Sequence, residues 1–298
     1  MPHPSPSVDL QNQAHPSAPV VIYHGGCPDG FAAALSAWLF FEGKGDYIPM
    51  VHAQALPDLT GKHVYMLDIA FDRARMEVAS AQASSLVVLD HHKSTADGLH
   101  GFKCRCGSLI FDFDKSAARM AWEYFHPSVE VPALIAHVED RDLLRWLLEP
   151  TPGYLASLDV GPYNFYRWAG VLRMPPPAYE TFMLRGRAMH RQSLKLAESL
   201  ALEASAIEIA GQHGLMANAP NVLHSAVGEL LLARKKTFAL LWCLEEGGTR
   251  VKVGLRGALG FDVIPIAEAF GGGGHPYASA FRLPLGRLGE LLSGRLVP

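Results

Sequence analysis

Cysteine is scarce in this chain of 298 residues, which holds only Cys27, Cys104, Cys106 and Cys243. Four is too few for a disulfide scaffold, and the count fits the reduced cytoplasm. The Cys104-Arg-Cys106 spacing is half of a soft-metal pattern, but no second pair completes it. No uninterrupted apolar run approaches the ~20 residues that span a bilayer, so a membrane-spanning helix is not expected. Charged residues make up only 18% of the chain and the formal net charge is −3. That balance excludes a disordered polyelectrolyte and argues against a basic protein that coats long double-stranded nucleic acid. A short anionic substrate stays allowed. Residues 1–18, rich in Pro, Ser, Gln and His, lack the basic start and apolar core of a signal peptide and are expected to form a disordered tail. A soluble cytoplasmic protein follows as the expectation.

The length suits about two domains, and 49% hydrophobic residues supply their cores. Three short apolar runs in the first ninety residues end in acids or histidines. Val20-Val-Ile-Tyr-His24 leads into Gly25-Gly-Cys27-Pro-Asp29-Gly30, His63-Val-Tyr-Met-Leu leads to Asp68, and Ser85-Leu-Val-Val-Leu leads to Asp90-His91-His92. Such β-rich runs predict buried strands. With helical patterns between them, they predict crossover units, a parallel sheet, and polar strand ends opening onto one crevice. Carboxylates and imidazoles gathered at such a rim need a partner, and a divalent metal is the expected one.

Further helices are expected from Asp114 to Phe125 and from Pro132 to Trp146, with the latter taking its proline in the first turn. The Pro- and Gly-rich stretch 149–177 predicts irregular structure with brief helices. From 178 to about 207 the chain is rich in Leu, Ala, Glu and Arg, with no proline, and predicts a long linker helix. The expected organisation is a parallel-sheet α/β domain over 19–177, a linker helix over 178–210, and a smaller α/β domain over 211–298. The last part predicts a hairpin (Phe238–Leu244 and Thr249–Leu255) and a helix over 262–270 that meets Gly271-Gly-Gly-Gly274. It carries nine Lys/Arg against six Asp/Glu, which leaves −6 on the remainder. An acidic metal domain and a mildly basic second domain suit a phosphate-bearing ligand.

Taken alone, Asp90-His91-His92 has a solvated strand end as its lesser alternative, and the glycine tract reads as a flexible turn. Taken in order, the motifs resemble the DHH phosphoesterases, whose name is this triplet. The family's first-strand His and Asp are met by His24 and Asp29, its single strand-end Asp by Asp68, and its later acid by Asp140, with Asp142 in reserve. Its associated C-terminal domain carries Gly-Gly-Gly-His, met by Gly272, Gly273, Gly274 and His275. The resemblance implies hydrolysis of phosphodiester or phosphoanhydride bonds with two Mn2+ or Mg2+ ions. His24, Asp29, Asp68, His91 and Asp140 are the implied ligands, and mixed oxygen and imidazole ligation suits Mn2+. His92 is expected at the scissile phosphate, and Asp90 is expected to orient a ligand histidine or to ligate directly. Gly272–His275 and Arg256 are implied substrate contacts, although Arg256 also fits a solvated strand end. Arg141 reads as part of a charged helix face and His137 as a core residue. Lys93 and Ser94 fit a phosphate contact and a surface loop equally.

The first motif departs from the family pattern of two acids two residues apart. Aligned through Pro-Asp, the second acid is Phe31; aligned through Asp-Gly, the first acid is Cys27. One carboxylate is absent in either register, which leaves occupancy of one ion position open. Cys27 is expected as a small packed residue, with thiolate ligation as the alternative. Short oligonucleotides, or a nucleotide phosphate such as phosphoadenosine phosphate, are the favoured substrates. Cyclic dinucleotides and short-chain polyphosphate come next. A nucleotide-binding member that does not cut is the alternative from a different class. A homodimer is compatible with all of these.

Overall fold

The structure is a computed structural model describing residues 18–298. The tail expected up to residue 18 lies outside it for residues 1–17. The chain divides into two compact units, the first ending at Arg187 and the second beginning at Ala188.

The first unit runs β1 (Val20–His24), α1 (Pro28–Phe40), β2 (Asp46–Met50), β3 (His63–Leu67), α2 (Arg73–Gln82), β4 (Ser85–Asp90), α3 (Lys93–Gly98), β5 (Gly107–Phe111), α4 (Ala117–Phe125), α5 (Ala133–Asp142), α6 (Thr151–Asp159), α7 (Phe165–Leu172) and the start of α8 (Pro176–Leu202). Its five strands form a wholly parallel sheet in the order β2-β1-β3-β4-β5. Side chains alternate across it. Val21, Tyr23, Tyr65, Leu67 and Leu89 join a core with α1, α4 and α5 on one face, while Val20, Ile22, Val64, Met66, Leu86 and Val88 meet Met76 and Ala79 of α2 on the other. Burial on both faces is why these strands read as continuous apolar runs. Truncating a fully buried member such as Ile22 or Leu67 to Ala should cost ~2–5 kcal/mol.

Two features of α1 place the site. Pro28 occupies its first turn, where a missing N–H costs nothing. Gly30 lies against the end of β1, where a Cβ would collide with the carbonyl oxygen of His24. The helix therefore begins directly beside the strand's last residue. Ala32, Ala33 and Ala34 are fully buried, and their small size lets α4 approach closely.

Several expectations change. The edge strands β2 and β5 were not anticipated. Lys93–Gly98 is a short helix rather than a polar loop. The helix expected to reach Trp146 stops at Asp142, and α6 and α7 are the brief helices of the 149–177 stretch. The long helix α8 spans 27 residues and ends at Leu202, because β6 begins at Ser205.

The second unit contains the rest of α8, then β6 (Ser205–Ile209), β7 (Gln212–Asn218), α9 (His224–Arg234), β8 (Phe238–Glu245), β9 (Arg250–Gly257), α10 (Ile264–Ala269), β10 (Gly273–His275), β11 (Ala278–Pro284) and α11 (Leu288–Leu292). Its sheet has the order β10-β11-β9-β8-β7-β6. Only β7 and β8 are parallel among these pairs, joined through α9. The expected β8–β9 hairpin is present, with glycines at positive φ in its turn. One face packs on α10 and α11, the other on α8 and α9. No helix among the described residues is long and apolar enough to cross a membrane.

Candidate metal centre

The strands β1, β3 and β4 are neighbours, so their carboxyl ends deliver His24, Asp68 and Asp90-His91-His92 to one edge of the sheet. Asp68 follows β3 with φ of 59°, a left-handed conformation that Asp tolerates better than bulkier residues. Its N–H still donates to the carbonyl of Leu89 at 2.9 Å. Asp29 enters from the first turn of α1, where its two oxygens accept from the first N–H groups of α4, Ala117 at 2.8 Å and Ala118 at 3.0 Å. Asp142 is the last residue of α5.

These side chains converge. His91 Nε2 lies 3.4 Å from Asp68 Oδ1, 3.5 Å from Asp142 Oδ2 and 3.7 Å from Asp29 Oδ2. His24 Nδ1 lies 3.4 Å from Asp68 Oδ2. Two donors each ~2.1 Å from one ion stand ~3 Å apart at right angles and ~3.4 Å apart at tetrahedral angles, so these spacings suit cation ligation. Three sets of ligand atoms each fall within 4.8 Å of one another: His24, Cys27 and Asp68; Asp68, His91 and His92; Asp29, His91 and Asp142. Asp68 is 2% exposed, and neither of its oxygens has a hydrogen-bond partner among the described residues. A buried carboxylate with both oxygens unsatisfied is costly unless a cation completes it. The donor set therefore fits divalent ions.

The electrostatics say the same. Burial, and then the charges of Asp142 and Asp68, push the Asp29 carboxyl well above its ordinary value. Burial and Asp68 push Asp142 up, against the pull of His91. Burial alone would raise Asp68, but the His24 and His91 imidazoles outweigh it and bring it down to about 2. Burial would lower His91, yet Asp68, Asp29 and Asp142 together raise it to about 9. Asp29, Asp142 and His91 are thus shifted toward their protonated forms, in the direction that eases crowding of negative charge, which a cation would also relieve.

Asp90 does different work. Its Oδ1 accepts from the backbone N–H of His91 at 2.7 Å and of His92 at 3.2 Å, and it meets His92 Nδ1 at 2.7 Å. The histidine it orients is His92, which also belongs to the group with Asp68 and His91. Because a carboxylate only accepts, this contact assigns the proton to Nδ1 of His92. Burial would lower His92, but Asp90 outweighs it and raises it.

One expected ligand is replaced. Asp140 is spent elsewhere, its carboxylate accepting from Leu147 N–H at 2.7 Å, Leu148 N–H at 3.1 Å and the Thr151 hydroxyl at 2.6 Å. It organises the loop after α5, and Asp142, two residues on, is the acid in the cluster. The ambiguity of the first motif also resolves. Asp29 and Cys27 both reach the cluster, whereas Phe31 is 2% exposed and stacks on Phe165 in the core. Cys27, and not Phe31, therefore lies in the cluster. His137 is buried against Tyr154 and bonded to the Thr151 hydroxyl, and Arg141 pairs with Asp159 at 2.7 Å.

The other expected residues lie in the second unit. Gly273, Gly274 and His275 form β10 at the sheet edge rather than a turn. A Cβ on Gly272 would strike the Ala280 carbonyl, and Gly274 has φ of 147°, while Gly273 faces open space. Arg256 lies within β9, its guanidinium donating to the Leu255 carbonyl at 3.0 Å and the Ser225 hydroxyl at 3.2 Å.

A parallel sheet with this histidine–acid edge is what the resemblance to the DHH phosphoesterases implies. Residues 216–294 match the DHHA1 domain family. The chain is 30% identical over 166 residues to the uncharacterised protein R106 of Acanthamoeba polyphaga mimivirus, a match covering 50% of this chain and 39% of that protein's length. Its fold is similar to PggH of Vibrio cholerae, described as a pGpG-specific phosphodiesterase, with TM-score 0.52 and 12% identity over 92% of this chain and 96% of the other. It is also similar to RecJ of Thermus thermophilus in complex with Mn2+, with TM-score 0.55 and 14% identity over 94% of this chain and 51% of RecJ. Residues 216–294 form a DHHA1 domain, and the chain as a whole has a fold like that of DHH-domain proteins.

Proposed function

We propose that the chain is a divalent-metal-dependent phosphoesterase that hydrolyses phosphodiester or phosphoanhydride bonds of a short anionic substrate. Short oligonucleotides and nucleotide phosphates are the first candidates. The observation that carries this reading is Asp68, a buried carboxylate with two unsatisfied oxygens amid imidazoles and acids.

His24, Asp29, Asp68, His91 and Asp142 would hold Mn2+ or Mg2+ ions, with Asp68 common to two of the ligand groups. When bound, such ions supply Lewis acidity that activates water and neutralises phosphate charge. The chain's own residues do the rest. Asp29 is locked by the α4 amides, and Asp68 is fixed by its backbone bond to Leu89. Asp90 holds His92 by Nδ1, so that Nε2 is the atom that meets the phosphate or carries a proton to the leaving oxygen. An open pocket of about 340 Å3 is lined by Pro28 and Arg141, the sequence neighbours of Asp29 and Asp142. That volume lies in the range of small-ligand sites. In the second unit, Arg256 and Gly272–His275 are the proposed substrate contacts. The open space around Gly273 supports close backbone approach by a phosphate.

The charge balance favours a short substrate. The net charge is −3, whereas channels for long single strands are basic. The thiol in place of the first carboxylate favours one second reading, a nucleotide-binding protein that does not cut.

The test is chelator-stripped protein reloaded with Mn2+ and offered pGpG, short oligonucleotides, phosphoadenosine phosphate, a cyclic dinucleotide and polyphosphate. Products are separated by chromatography. Mononucleotide release from the linear oligonucleotides, lost in His91→Ala, is expected. Absence of product from every substrate with metal bound removes the hydrolase reading and leaves the binder.

A further inference from the structure

We propose that Cys27 is a thiolate ligand at one of the two ion positions, so that this position prefers a thiophilic divalent ion (the Zn2+, Co2+ and Fe2+ class) over Mg2+. The inference rests on the cluster being a divalent-ion site, and it deepens that reading by making the two positions chemically unequal.

The geometry carries it. Cys27 Sγ, a His24 ring nitrogen and an Asp68 oxygen lie within 4.8 Å of one another. Asp68 is buried and its oxygens have no hydrogen-bond partner among the described residues; Oδ2 faces this region, with His24 Nδ1 3.4 Å away, while Oδ1 faces His91. Packing does not account for the cysteine. Cys104 and Cys106 pack against the hydrophobic core on the α2 side of the sheet, but Cys27 belongs to neither core of the first unit. Capping does not account for it either. Cys27 is the N-cap residue of α1, where its thiol has at most a weak contact with the Gly30 backbone and Ser, Thr, Asp or Asn would serve better. Cys27 is a free thiol.

The donor chemistry then separates the two positions. Imidazole, thiolate and carboxylate suit Zn2+, Co2+ or Fe2+, whereas Asp29, Asp142 and Asp68 with His91 form an oxygen-rich set that suits Mn2+ or Mg2+. Binding at the first position forms a metal–sulfur bond and releases the thiol proton to solvent. The chain thus keeps a full ligand count despite the lost carboxylate, at the cost of a different metal preference.

The experiment follows Co2+ titration of the chelator-stripped full chain by near-ultraviolet absorption, with bound metal counted by equilibrium dialysis. A thiolate-to-Co2+ charge-transfer band is expected, saturating at one Co2+ per chain. It should vanish in Cys27→Ser. It should persist when Cys104, Cys106 and Cys243 are all replaced by Ser, a variant whose sole remaining cysteine is Cys27. Cys27→Asp should lower the ratio of Zn2+ to Mg2+ affinity at least tenfold. Bound Co2+ without the band, a band surviving in Cys27→Ser, or loss of the band in the triple variant overturns thiolate ligation alone. Failure of the chain to bind Co2+ or Mn2+ at all overturns the cluster reading beneath it.

Discussion

Replacing Asp68 with Asn keeps the side chain's volume and removes the charge on which the site converges. That charge lies 3.4 Å from His24 Nδ1, 3.4 Å from His91 Nε2 and 3.8 Å from His92 Nδ1. An ion that binds only the folded state, present at a hundred times its Kd, stabilises that state by ~2.7 kcal/mol. For a unit of this size 1 kcal/mol shifts the melting midpoint by ~2–4 °C, so Mn2+ should raise the native midpoint by ~5–11 °C. Losing an outer partner of a ligand typically weakens metal binding ~10–100-fold, and losing an inner ligand common to two groups should do at least the upper figure. At the same Mn2+ concentration the ion then sits near its Kd or below. The increment falls to at most ~0.4 kcal/mol, or ~1–2 °C. Scanning calorimetry on chelator-stripped and Mn2+-loaded protein measures both increments. A Mn2+ increment in Asp68→Asn equal to the native one would refute the reasoning.

Other expectations follow from the same geometry. Asp142→Asn should lower kcat/KM at least ~100-fold (~2.7 kcal/mol of transition-state stabilisation) with the metal-free midpoint little changed. Asp140→Ala should instead destabilise the metal-free fold by ~2–4 kcal/mol, because it orphans Leu147 N–H, Leu148 N–H and the Thr151 hydroxyl. The reverse pattern, measured by denaturant titration and steady-state kinetics, would return Asp140 to the site. Gly273→Val should raise KM without altering the Mn2+-induced midpoint shift, since its Cβ meets nothing; an unchanged KM removes the proposed backbone contact. Burial holds the His224 imidazole down to about 4, so the folded second unit favours the neutral ring. Its contribution is complete above the unfolded value near 6.5 and is lost by ~1–3 kcal/mol as pH falls toward 4. Amide-exchange protection of β8 and β9 should therefore drop between pH 7 and 5, and His224→Gln should flatten that drop; an equal drop in both proteins contradicts it.

The strands β1, β3 and β4 were legible because they are buried on both faces and end in groups of unmistakable chemistry. The edge strands β2 and β5 were not. Asp46–Met50 contains Pro49, and both strands are short and largely half-buried or exposed, so neither forms a continuous apolar run. His24, Asp29, Asp68 and His91 were readable as a group from their positions at strand and helix ends. The choice between Asp140 and Asp142 was not, because residues two apart on a helix face nearly opposite ways and the end of α5 decides which one faces the sheet. That end is set by the loop that Asp140 itself organises, a tertiary feature without a local signature. Ile207 and Ile209 alternate as a strand should, but the long helical composition before them masked the start of β6. Cys27 was ambiguous because either alignment of its motif lost one acid, and only the burial of Phe31 in the aromatic core separates the two.

The most direct measurement is anomalous diffraction at the manganese edge from crystals grown in saturating Mn2+, with Zn2+ added in parallel at its own edge. The account predicts two ion peaks inside the cluster formed by His24, Asp29, Asp68, His91 and Asp142, with Asp68 oxygen within bonding distance of both. A cluster without peaks at saturation, or ions bound only at other residues, contradicts it.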